Sequence, residues 1–81
     1  MSDELSLSLD KHRQQIDKID NQILELLEER FGHVHEIGKA KNAAGGAIYR
    51  PDREEAIIER LSNHSKTLDS KMIRSVFLEV F

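Results

Sequence analysis

Cysteine is absent from the chain, which removes disulfides, thiolate metal ligands and a thiol nucleophile together. Proline occurs once and glycine four times, a scarcity of helix breakers that suits a helical protein. Aromatic residues are limited to three Phe and one Tyr, so no stacking platform for bases is present. No apolar run reaches membrane-spanning length, and the opening residues, MSDELSLSLD, lack the basic-then-apolar layout of a secretory leader. An excess of positive charge is also missing: charged residues make up 33% of the chain and the formal net charge is −3, which argues against general nucleic-acid binding. A small anionic ligand stays open, because local clusters rather than net charge set the field inside a pocket. The phosphate-cradling glycine loops and the serine nucleophile elbow are absent too. These exclusions leave a cytoplasmic protein with no membrane or nucleic-acid partner. At 81 residues it has one small domain, near the size at which a lone core becomes marginal.

What is present is helical periodicity. From Leu9 to about Lys41 the apolar residues Ile16, Ile19, Ile23, Leu26, Leu27, Val34 and Ile37 keep the spacing of one helix face. Ser6 or Ser8 is positioned to cap its start, so residues 1–8 read as a tail and residues 9–81 as the domain. Asn42 and then Gly45-Gly46 signal its end. Residues 47–52 read as a short loop, with Pro51 suited to the first position of a second helix over roughly 51–63. That helix carries Glu54, Ile57, Ile58 and Leu61 on one face. A polar link leads to a third helix from about Asp69, striped by Met72, Ile73, Val76, Phe77, Val80 and Phe81. The spacing therefore predicts an all-α protomer of three helices, one long and two shorter.

The long helix has a consequence for assembly. Some 33 residues at 1.5 Å each make about 50 Å, whereas a compact chain of this size has a diameter of about 30 Å. The helix overshoots any globule the chain forms alone, and a second copy is the simplest partner for its stripe. A homodimer follows from length.

Arg30 is the first residue that breaks the pattern, standing on the seam Ile16, Ile23, Arg30, Ile37 where an apolar side chain belongs. It reads either as a rim arginine or buried ion-pair member with Glu28 or Glu29, or as a ligand-binding group. Lys41 lies eleven residues on, rotated by about 20° and displaced by about 16 Å, so the two long side chains can converge on one small ligand. Arg13 precedes Arg30 by 17 residues, about 25 Å along the same helix. The two can meet only if helices of two chains run antiparallel. Glu54 is on the inward stripe of the second helix, where a first-turn carboxylate also suits the helix dipole. Arg53 beside it reads equally as a surface charge paired with Asp52 or Glu55. His33 and His35 are about 200° apart on a helix and cannot share a metal. No metal site is expected.

Three blocks, Arg13-x-x-Ile16-Asp17-x-Ile19-Asp20-x-x-Ile23-x-x-Leu26-Leu27-x-x-Arg30, Ile37-Gly38-x-x-Lys41, and Tyr49-Arg50-Pro51-x-Arg53-Glu54, together resemble the helical chorismate mutase family in order and interval, from about residue 9 to the C-terminus. The resemblance implies a three-helix protomer entwined with its twin, two active sites each built from both chains, and cofactor-free rearrangement of the dianion chorismate to prephenate in phenylalanine and tyrosine biosynthesis. It implies that Arg13 of one chain and Arg30 of the other hold substrate carboxylates. Lys41 would donate to the ether oxygen and a carboxylate, Glu54 would accept from the ring hydroxyl, and Arg53 would add positive field. Some relatives carry an acidic residue at the position of Arg50, so a substrate-binding role there rests on its backbone.

In the family the last helix continues past the position of Phe81 and carries a serine and a glutamine or glutamate that complete the site. The apolar face of the third helix runs straight to Phe81, which reads as a segment cut short, as in a mutase portion joined to prephenate dehydratase, with activity impaired accordingly. Two other readings compete: isochorismate pyruvate lyase, which uses the same scaffold, and a non-catalytic helical dimerisation or regulatory module. The Arg53-Glu54 pair favours the mutase over the lyase. A dimerisation module explains neither Arg30 on the seam nor Lys41 on its face.

Overall fold

The computed structural model describes residues 2–43, 45 and 51–81. Their regular structure consists of three helices, α1 (Ser2–Ala43), α2 (Pro51–His64) and α3 (Ser70–Val80), the all-α arrangement the periodicity predicts. The chain divides into two units, Met1–Glu36 and Ile37–Phe81.

The first unit is one run of helix, and it begins earlier than the sequence suggests. The expected tail is helical from Ser2, and Ser6 and Ser8 lie inside the helix instead of capping it. Asp3 and Glu4 in the first turn complement the positive end of the helix dipole. Leu9 stands seven residues ahead of Ile16 and prolongs the seam. Its stripe finds little cover in this chain: Ile16 is 53% exposed, Ile23 50% and Leu26 64%. Among the described residues of this unit, only Leu27 and Arg30 are even half-buried.

The second unit holds the core. The end of α1 is set by Gly45, whose φ of 75° is in the left-handed region and whose N–H donates to the Asn42 carbonyl at 3.1 Å. A side chain there would be strained, which is why glycine ends helices this way. Gly46 and residues 47–50 lie outside the described residues, as does position 44. Pro51 opens α2, where its missing N–H has no intrahelical role. Among the described residues, Ile57 and Ile58 of α2 and Ile73 of α3 are the buried hydrophobic ones, and the two helices pack against each other. Glu54, Leu61, Phe77, Val80 and Phe81 are half-buried around them. Met72 and Val76, which the sequence places on the same stripe as Ile73, remain 52% and 53% exposed. The link between α2 and α3 is tied locally. The Ser65 hydroxyl accepts from the Leu68 N–H at 3.0 Å, and Asp69 caps α3 by accepting from the Met72 N–H at 2.8 Å.

A paired hydrogen bond joins α2 to α3 at the surface. Arg74 donates through Nη1 to Glu55 Oε1 at 2.7 Å and through Nη2 to Oε2 at 2.8 Å. The bond to Arg74 lowers the Glu55 pKa from its ordinary value of 4.5. A carboxylate depressed on folding stabilises the fold above its unfolded pKa and loses that contribution as pH falls through the folded one. The gap in denaturation midpoint between the parent and Glu55→Gln is therefore expected to be small but present at neutral pH, since both partners are solvent-exposed. It should close in acid below the ordinary carboxylate range. A gap that stays constant from neutral pH into strong acid would show that the pair contributes no pH-linked stability.

Candidate active site

Helical spacing decides where the chemistry-bearing side chains lie. Arg13 and Arg30 are both on α1 within the first unit. Arg13 is exposed and Arg30 half-buried. Their 17-residue separation on one straight element amounts to about 25 Å, so a single chain does not bring them onto one small molecule. In the second unit, Lys41 is in the last turn of α1, where a cation also suits the negative end of the helix dipole. It is half-buried, a state in which the stem lies against other groups while the ammonium can stay solvated.

Glu54 and Arg53 belong to the first turn of α2. Glu54 is half-buried on the face of Ile57 and Ile58, three and four residues on, whereas Arg53 is exposed. That turn is well supported: the next residue is Glu55, held by Arg74, and the buried isoleucines follow directly. Arg50, the remaining candidate, lies outside the described residues. The candidate set is thus four cations, Arg13, Arg30, Lys41 and Arg53, with one carboxylate, Glu54. Among the described residues no cluster of three His, Asp or Glu is placed to hold a metal ion. None of the described helices is long and apolar enough to cross a membrane.

Glu55, one of the two carboxylates open to Arg53 by sequence, is bonded in the structure by Arg74, 19 residues away. The stripes alone place both residues where such a pairing is open, without selecting it. Glu55 precedes Ile58 by three residues and Arg74 precedes Phe77 by three, which sets both on the margins of the two stripes that pack together.

Comparison with known proteins bears on the same blocks. Residues 12–81 match the family model described as chorismate mutase type II. The chain is 42% identical over 81 residues to a bifunctional chorismate mutase/prephenate dehydratase of Neisseria gonorrhoeae, covering 99% of this chain and 22% of that protein. It is 41% identical over 49 residues to a chorismate mutase of Methanocaldococcus jannaschii, covering 60% of this chain and 50% of that one. An intracellular chorismate mutase of Mycobacterium tuberculosis is 41% identical over 54 residues, covering 67% of this chain and 51% of that one. The chain therefore spans about half or less of the length of these relatives.

Proposed function

This chain belongs to the chorismate mutase type II family, and we propose that it rearranges chorismate to prephenate without a cofactor, as an intracellular step of aromatic amino-acid biosynthesis. The observation that carries the reading is the placement of Lys41, half-buried at the end of α1, and Glu54, half-buried in the first turn of α2, within a matched region that also contains Arg13 and Arg30.

The reaction is pericyclic. The ether C–O bond breaks as a C–C bond forms, so no nucleophile, general base or redox partner enters. The protein must hold a flexible dianion in a chair-like shape and stabilise charge growing on the ether oxygen, tasks for fixed cationic donors on rigid helices. In the proposed site Arg30 of one chain and Arg13 of the other bind the two carboxylates. Lys41 donates to the ether oxygen and a carboxylate. Glu54 accepts from the ring hydroxyl, Arg53 adds positive field, and Arg50 contributes through its backbone. The domain occupies residues 9–81, and the partner is a second copy of this chain, whose α1 covers the exposed stripe of Ile16, Ile23 and Leu26.

Incubating the purified protein with chorismate and, separately, with isochorismate tests this directly. Prephenate from the first and no pyruvate release from the second is the expected pattern. Pyruvate from isochorismate with no prephenate from chorismate would make it a lyase, and no product from either would leave a helical dimerisation module.

A further inference from the structure

The Glu55–Arg74 bond has more geometric definition than a stabilising role requires. Both side chains are exposed, 61% for Glu55 and 47% for Arg74, and exposed ion pairs add little to stability. Yet the contact is two-pronged, with both guanidinium nitrogens on both carboxylate oxygens at 2.7 and 2.8 Å. Such a fork fixes orientation as well as distance. Its α2 anchor is the residue next to Glu54 and two after Arg53. Its α3 anchor is the residue next to Ile73, which is buried in the core. The start of α2 is thereby tied to the part of α3 that is buried in the core.

We propose that Arg74 is a positioning residue for the reaction, acting through Glu55 to fix the first turn of α2 and so the direction of Glu54 toward the substrate's ring hydroxyl. The inference rests on the mutase reading above and adds to it a residue that touches no substrate. Without the fork, the turn keeps its helical form but loses a defined angle against α3. Glu54 then samples directions that do not meet the hydroxyl, and a catalytic group out of place by about 1 Å can cost on the order of a hundredfold in rate. A partial loosening should cost less, about tenfold.

The test is a double-mutant cycle on kcat/KM for chorismate, with Arg74→Ala, Glu54→Ala and the pair combined. Arg74→Ala alone should lose about tenfold, mainly in kcat, at unchanged helix content and oligomeric state. In the Glu54→Ala background it should lose almost nothing more, because the acceptor it positions is already gone. The exchanged pair Glu55→Arg with Arg74→Glu, which restores the bond in reverse, should recover most of the rate. Full additivity of the two losses, or no rescue by the exchanged pair, would overturn the inference. If Arg74→Ala unfolds, the comparison moves to Arg74→Lys, which keeps the charge but not the fork: parental kcat would overturn the inference, and a several-fold loss confined to the Glu54 background would support it. A parent protein with no mutase activity marks failure of the underlying reading, whereas an active parent with an additive cycle marks failure of this inference alone.

Discussion

An Arg13→Ala protein and an Arg30→Ala protein, each close to inactive on its own, are expected to recover about a quarter of parental activity per site when mixed in equal amounts and allowed to exchange subunits. The reasoning is geometric. The two arginines stand 17 positions apart on α1, about 25 Å, so one chain cannot place both on a molecule the size of chorismate. In a symmetric dimer each proposed site takes Arg13 from one chain and Arg30 from the other. A mixed dimer then has one site with both arginines and one with neither. Random exchange makes about half the dimers mixed, which leaves about one intact site in four. The measurement is mutase rate against time after mixing, with exchange followed by mass-tagged subunits. Verified exchange without recovery would put both arginines outside a shared site, and a sedimentation profile of monomers at micromolar concentration would remove the dimer itself.

Lys41→Ala is expected to lower kcat/KM for chorismate by about a hundred to a thousandfold, the usual cost of removing one preorganised donor from developing negative charge, about 3–4 kcal/mol. The loss should fall chiefly on kcat, because the proposed bond to the ether oxygen would strengthen as that oxygen gains charge. Lys41→Arg should restore little. Its planar fork does not reproduce a point donor on a flexible stem. Helix content should be unaffected, since the core is made by Ile57, Ile58 and Ile73. A loss below tenfold for Lys41→Ala would mean that another group meets the ether oxygen.

Much of the second unit was legible from spacing. All four residues of the stripe Glu54, Ile57, Ile58, Leu61 lie on the covered face of α2, which also takes in Ser62, because helical spacing turns such positions to one side. Gly45 ends α1 where the glycine pair suggested, with the φ that glycine supplies. The third helix starts at Ser70, beside the expected Asp69, which is its cap. Two features were not legible for physical reasons. The start of α1 is governed by weak terms of a few tenths of a kcal/mol per residue, so serines that read as caps can be carried inside a helix already favoured by Asp3 and Glu4. The pairing of Glu55 with Arg74 depends on how two helices cross, which no single-helix pattern encodes. For the site, the sequence supplied the residue types and the blocks that carry the family resemblance. Arg30 stood out because it interrupts an apolar seam, and the half-buried position of Lys41 required coordinates.

The bare stripe of α1 also sets an order of events in time. The buried isoleucines of α2 and α3 lie within about one helical hairpin of each other, and contacts so close in sequence form quickly once both partners exist. The N-terminal helix is synthesised first, and its neighbours follow at about 5–20 residues per second. In the proposed dimer its apolar face waits longer still, for a second chain, so covering it is a bimolecular step whose rate rises with concentration. Of the three helices, the first to be made is then the last to leave water. During that wait, chaperones and wrong partners compete for the surface that carries Arg13 and Arg30.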